Sequence, residues 1–354
     1  MEGQDRQAVG AGALTPGADA PIQTDALIIG AGPVGLFQAF QLGLLEISSH
    51  IVDALPHAGG QCVELYGDKP IYDIPGVPAT TGRGLVASLL QQLAPFKPHF
   101  HLGQQIATLV QRDDGRWALG TTRGAQFIAR TVFIAAGVGA FVPRRLTLDG
   151  IDALEGDRLF YHPGALDRFH GQAVVVNGGD DAALDTALAL TGHAAEVTLL
   201  HRRDVFQADE AKVEALRTQV AAGTLQLRIG QPTAFDGSQL TVSTPEGTTL
   251  TLALDALVVC NGISPRLGPI ADWGLALERK QIPVDTGKFE TQLPGVFAVG
   301  DINTYPGKRK LILCGFHEAT LAAWGATAYV FPGKAVPLQY TTTSPRLQAL
   351  LKGG

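Results

Sequence analysis

The chain has 354 residues, enough for about two domains, with 45% apolar and 17% charged residues and a formal net charge of −6. That balance argues against a globally basic nucleic-acid binder, and no apolar run reaches the ~18 residues of a membrane span. Three widely separated cysteines, Cys62, Cys260 and Cys314, fit neither a metal site nor a disulfide framework. We expect a soluble cytoplasmic protein with no secretory signal, no metal and no nucleic-acid or membrane partner.

Residues 1–24 are rich in Ala, Gly, Pro and Gln and lack large apolar periodicity, which predicts a disordered tail or, alternatively, a partner-binding arm. Order is expected from Asp25. Ala26–Ile29 is a short apolar run of the kind found in strands buried on both faces. A helix-like stretch, Val34 to Leu45, and a second strand, His50–Asp53, complete a βαβ unit.

The turn between strand and helix reads Gly30-Ala31-Gly32-Pro33-Val34-Gly35, a GxGxxG placed directly after a buried strand. Gly30 permits the tight turn, Gly32 lets a pyrophosphate approach the backbone, and Gly35 lets helix and strand pack closely. The following helix start offers free N–H groups to phosphates. Asp53, at the end of the next strand, is placed to accept hydrogen bonds from a ribose diol. The alternative is a purely structural glycine turn.

Strands at Phe127–Gly137 and Leu254–Gly262 echo one another, each ending in small residues. Between them lies a second βαβ unit: strand Ala173–Val176, helix Ala182–Thr191, strand Glu196–Leu200. Its turn, Asn177-Gly178-Gly179-Asp180-Asp181-Ala182, has Asn in place of the first Gly, a residue that tolerates left-handed geometry. The strand end is basic, His201-Arg202-Arg203. An arginine pair can hold a 2′-phosphate that a carboxylate would repel; two solvated surface arginines are the alternative. A third strand, Gly295–Val299, runs into Gly300-Asp301 and leads toward a helix at Glu318–Tyr329. The fold class is therefore α/β with two Rossmann-like units. An acidic strand end suits FAD and a basic one NADP(H), the pair used by flavin-dependent oxidoreductases.

Taken together, these residues resemble the thioredoxin-reductase-like ferredoxin–NADP⁺ reductases. The resemblance rests on Gly30–Phe37, Gly59-Gly60-Gln61, Leu65-Tyr66, Ile71-Tyr72-Asp73, Ala136–Pro143, His201–Asp204 with Phe206, Leu267–Ile270, Gly300-Asp301 and Tyr340–Pro345, in order over more than nine-tenths of the chain. It implies a discontinuous FAD domain, residues 25–141 and 264–340, with an NADP(H) domain, 142–263, inserted into it. It also implies a homodimer whose C-terminal tail, 341–354, covers the flavin. Residue by residue, it implies that Gly30, Gly32, Pro33, Gly35, Asp53, Gly60, Gln61, Phe141, Asp301 and Thr342 bind FAD. Tyr66 and Tyr340 would stack on the two flavin faces, and Gly178, Gly179, Asp180, Arg202 and Arg203 would bind NADP(H). Asp301 as a helix N-cap and the tyrosines as ordinary half-buried residues are the alternatives.

Two departures stand out: Gln207 where the family often has a further Arg, and Asn177 in the second turn. The stretch Tyr161–Gln172 holds no cysteine, which excludes an internal redox dithiol, and Cys62 reads as a small core residue. The implied reaction passes hydride from NADPH to flavin N5 and single electrons to ferredoxin or flavodoxin. A general NAD(P)H-dependent flavin reductase and a poorly turning-over redox sensor are the competing readings. An acidic ferredoxin would need a local positive patch, for which Lys308-Arg309-Lys310 and Arg144-Arg145 are candidates beside the reading as solvated loop charges. Ala136–Pro143 and Cys260–Pro265 are the expected hinges.

Overall fold

A computed structural model of the chain describes residues 20–161 and 163–352, without the side chains of 140–142 and 263–265. Most of the tail expected over residues 1–24 lies outside the described residues. Its end does not: the first strand, β1, runs from Ile22 to Ile29, three residues earlier than expected. Thr24 has no periodic signal of its own, yet it is buried and its hydroxyl donates to the Ala26 carbonyl at 3.1 Å.

The chain forms two compact units, one ending at Ala140 and resuming at Arg266, the other spanning Phe141–Pro265. The first crossing falls inside the expected hinge Ala136–Pro143, and the second comes at the very end of the other, Cys260–Pro265. The strands Ala140–Pro143 and Ile263–Arg266 that carry the chain across pair with each other.

In the first unit, β1 passes through helix α1 (Pro33–Leu44) to strand β2 (Ser49–Val52). Helix α2 (Gly82–Leu93) leads to β3 (His99–His101), followed by β4 (Ile106–Gln111), β5 (Trp117–Thr121) and β6 (Gln126–Ile134). The strand order is β3-β2-β1-β6-β5-β4. The β3-β2-β1-β6 half is parallel and β6-β5-β4 antiparallel. β1 is central and buried on both faces, which is why its sequence is a continuous apolar run rather than an alternation. Ile28 joins the core under the helices, while Leu27 and Ile29 join the core on the other face.

The second unit has a parallel five-stranded sheet. Its strands are β7 (Leu159–Phe160), β8 (Ala173–Gly178), β9 (Glu196–His201), β10 (Gln226–Ile229) and, after an antiparallel three-stranded sheet (Gln231–Phe235, Gln239–Ser243, Thr249–Ala253), β11 (Ala256–Cys260). The order is β7-β11-β8-β9-β10. Helix α3 (Asp181–Leu190) joins β8 to β9, and α4 (Glu210–Ala221) joins β9 to β10. Back in the first unit, β12 (Val296–Ala298) pairs with β6, and helix α5 (Ile312–Val330) covers the sheet. Helix α6 (Pro345–Lys352) ends the described chain.

One cluster escaped the sequence analysis. On neighbouring strands β2 and β3, the His50 ring stacks on His99 at 4.7 Å and on His101 at 5.2 Å. His50 Nδ1 and His101 Nε2 share a hydrogen bond of 2.9 Å, which needs at least one neutral ring. Burial, then the neighbouring His101 and His99, hold His50 down to about 4 from an ordinary 6.5. The folded state thus binds fewer protons here than the unfolded chain between these two values, so stability is lost as pH falls through that window. We expect the Tm of the wild type to drop between pH 7 and pH 4.5 and His50→Asn to flatten that slope; an unchanged slope would refute the assignment.

Candidate cofactor-binding site

The first glycine turn is built by close backbone approach. Gly30 has φ +113°, and a Cβ there would lie 2.4 Å from the carbonyl of Ala135, the residue that follows β6. A Cβ on Gly35 would lie 1.9 Å from the Gly30 carbonyl, so α1 sits directly on the turn. Gly32 differs from both: nothing lies within 4 Å of its Cβ position. It caps α1 without a side-chain hydrogen bond, and Pro33 at the first helical position has no N–H to satisfy. The first-turn amides are therefore left for an anion.

Asp53 follows β2 and is tied to this turn. Its Oδ2 accepts the Ala31 N–H at 2.5 Å and its Oδ1 accepts the Leu55 N–H at 2.8 Å. Burial raises its carboxyl above the ordinary value against the pull of those two amides. Each oxygen keeps a lone pair for a diol. The loop after Asp53 returns so that Gly59 N–H donates to the Ala31 carbonyl, and a Cβ on Gly60 would lie 3.2 Å from the Gly32 Cα.

Gln61 follows, with its amide nitrogen 2.5 Å from the Cβ position of Gly137 (φ +60°). Its side chain also bonds Asp301, whose carboxyl is raised chiefly by burial and lowered by Lys308 and Lys310. Asp301 lies in the 3-10 turn Gly300–Ile302, and the N-cap of α5 is Leu311, so the helix-cap alternative falls. Cys62 is buried, as expected, and its thiol donates to the Tyr66 hydroxyl at 3.4 Å. Burial, Cys62, Asp301 and Asp73 all push the Tyr66 phenol upward. The structure thus brings Gly32, Asp53, Gly60, Gln61, Tyr66 and Asp301 to one end of the sheet.

Tyr340 and Thr342 are not brought there within one chain. Tyr340 is 64% exposed. The tail instead turns back at the far end of α1: Leu347 is buried, Arg346 pairs with Glu46, and α6 packs on the turn Ala94–Phe96. The Phe141 side chain lies outside the described residues.

A second network, unforeseen from the sequence, fixes the Asp301 turn. Glu318 in α5 is fully buried. Its Oε2 accepts the Gly300 N–H at 2.7 Å and Asn303 Nδ2 at 2.8 Å, and its Oε1 accepts Tyr305 OH at 2.9 Å and Lys308 Nζ at 2.5 Å. Lys308 also donates to the Gly300 carbonyl at 2.8 Å. Lys308 therefore does not belong to an exposed docking patch; its side chain is only 7% exposed. The one signal was a lone carboxylate in an otherwise apolar helix.

The second turn uses the same steric device. A Cβ on Gly178 would lie 2.2 Å from the Cys260 carbonyl, and one on Gly179 2.4 Å from the His201 ring. Asp180 spends its carboxylate capping α3, accepting the Ala183 N–H at 3.0 Å. Asn177 is not in a left-handed turn, contrary to expectation: it is the penultimate residue of β8, and its amide donates to Asn261 Oδ1 at 3.1 Å across the strands. Arg202 and Arg203 directly follow β9 and are exposed, and neither has an ion-pair partner among the described residues. Arg145, by contrast, pairs with Asp152 and Glu155.

A sequence profile described as "Pyridine nucleotide-disulphide oxidoreductase" matches residues 24–322. The chain belongs to that family. Among curated relatives, the ferredoxin–NADP reductase 2 of Cupriavidus taiwanensis is 55% identical over 95% of this chain and 93% of its own length. The ferredoxin–NADP reductase of an Acidovorax species is 57% identical over 95% and 98%. Among solved structures, a Lactococcus lactis thioredoxin reductase matches with TM-score 0.58 at 23% identity, over 87% of this chain and 99% of that one. A Staphylococcus aureus bacillithiol disulfide reductase matches with TM-score 0.61 at 17% identity, over 87% and 99%. At these identities the structural matches establish the fold of this oxidoreductase family member, two Rossmann-like units with the second inserted into the first. No helix among the described residues is long and apolar enough to cross a membrane.

Glu318→Gln would put an amide where four donors converge and leave Lys308 buried without its counter-charge. Breaking a buried pair in this way costs about 3–5 kcal/mol. Urea unfolding of the variant should show a loss of that order; a loss below ~1 kcal/mol would mean the pair is not the anchor of the turn.

Proposed function

We propose that this protein is a flavin-dependent ferredoxin–NADP reductase, with FAD held by the first unit and NADP(H) by the second. The observation that carries the reading is the contrast between two like turns: one strand end presents the Asp53 carboxylate, the other Arg202 and Arg203. A carboxylate accepts from an unphosphorylated ribose, while a guanidinium pair holds a 2′-phosphate. The curated relatives named ferredoxin–NADP reductase support it over nearly the whole chain.

In this reading the amides at the start of α1, with Gly32 and Gly60 opposite, take the pyrophosphate of FAD. Asp53 accepts its ribose, and Asp301 and Gln61 hold polar groups nearer the ring. Tyr66 lies beside Asp301 and Cys62 and covers one face of the flavin. Bound FAD supplies the exchange between two-electron and one-electron chemistry. The covering Tyr340 and Thr342 come from a second copy in a homodimer, a view supported by the exposed Tyr340 and by the tail's seat at the far end of α1. Three free cysteines fit a reducing cytoplasmic compartment. With Lys308 internal and Arg145 ion-paired, exposed Arg309, Lys310 and Arg144 are the cations left for an acidic ferredoxin.

Steady-state cytochrome c reduction by the FAD-loaded protein with NADPH should depend strongly on added ferredoxin. Equal rates without ferredoxin would overturn that partner and indicate a general flavin reductase; dependence on flavodoxin alone would reassign it.

A further inference from the structure

We infer that Arg217, on α4, completes the 2′-phosphate site of the second unit and is a specificity-determining residue for NADPH; the inference rests on the NADP(H) reading given above. From Gly179 outward the side chains form a continuous stack. The His201 ring lies against Gly179, and Phe206 stacks on His201 at 5.5 Å with an interplanar angle of 29°. The Arg217 guanidinium lies over the Phe206 ring, 5.5 Å from its centroid. Arg217 Nη2 also donates to Asp204, in the loop that begins with Arg202 and Arg203. The loop is pinned at its other end by the Gln207 N–H, which donates to the Gly179 carbonyl at 2.8 Å. A residue fifteen positions beyond Arg202 in sequence is thereby fixed to the same loop.

Charge gives Arg217 its role. A phosphate monoester carries close to two negative charges. Arg202 and Arg203 supply two positive charges, but Asp204 between the loop arginines and Phe206 cancels one, and Gln207 adds none. Arg217 restores the balance. A guanidinium has five N–H donors, so the one contact to Asp204 leaves donors for phosphate oxygens. The side chain is 44% exposed, which keeps those donors open to solvent. Asp204 becomes the positioning residue that aims Arg217 along the loop. The other cation of α4 with nearby carboxylates, Lys212, is occupied by Asp181 and Asp185.

The test compares NADPH with NADH in the FAD-loaded full chain, together with competitive inhibition by adenosine 2′,5′-bisphosphate. Arg217→Gln should lower the NADPH-to-NADH ratio of kcat/KM by about tenfold, through KM for NADPH, as expected for one charge-assisted contact. Inhibition by the bisphosphate should weaken in parallel, and Arg217→Lys should recover part of both. If Arg217→Gln leaves the ratio unchanged, or shifts both nucleotides equally, the role is overturned. Arg202→Gln/Arg203→Gln separates the two claims: loss of the ratio in that variant alone keeps the NADP(H) reading and removes Arg217 from it. No loss in either variant overturns both.

Discussion

The site depends on one steric constraint met twice: a strand must hand over to a helix while its turn lies against a neighbouring strand's carbonyl. Gly30 rests on the Ala135 carbonyl and Gly178 on the Cys260 carbonyl, each at a distance no Cβ tolerates. Ala135 follows β6 and Cys260 ends β11, so the two contacts occupy matching places in the two sheets. Parallel pairing brings the ends of these strands level, which turns a sheet edge into a floor for a nucleotide. The chemistry then diverges just beyond β2 and β9, where one unit places a half-buried carboxylate and the other exposed guanidinium groups.

Around the first turn, charge is managed by burial rather than by exposure. Asp53 and Asp301 are both raised by desolvation, and each is steadied by groups fixed in the backbone or the core. The Glu318–Lys308 pair under Gly300 is the extreme case. Every lone pair and proton of that pair that the structure engages is directed at the Gly300–Tyr305 segment or at its partner. Such a pair gains little over an apolar core in stability, but it fixes one geometry. A Gly315 Cβ would lie 2.4 Å from Val34, so the helix that carries Glu318 also touches the start of α1.

Local signals made the two βαβ units legible, because each fits within some thirty residues and combines an apolar run, a glycine turn and a polar strand end. The glycine contacts of the first turn and the placing of Asp53 beside it followed from the same logic. What the sequence hid were partnerships across long separations. Lys308 looks like part of a solvated basic run until Glu318 faces it; Asn177 looks like a glycine substitute until Asn261 accepts its amide. His50, His99 and His101 are ordinary in sequence, since nothing local announces that β2 and β3 are neighbours. The early start of β1 was missed because pairing with β6, which sets Ile22 opposite Phe127, outweighs the polar character of Gln23 and Thr24.

The insertion of the second unit has a consequence for how the chain is made. The upper part of β6, Val132–Ile134, pairs with Val296–Ala298. On the ribosome that stretch emerges long before its partner strand, with the whole of Phe141–Pro265 translated in between. The inserted unit has its own parallel sheet and its own cores, and so can fold during this interval, since domains generally fold as units. The enclosing unit must hold an unfinished sheet until β12 and α5 arrive. The enclosing sheet is thus completed only after the whole inserted unit has been translated, and the Asp301 turn comes later still in the chain.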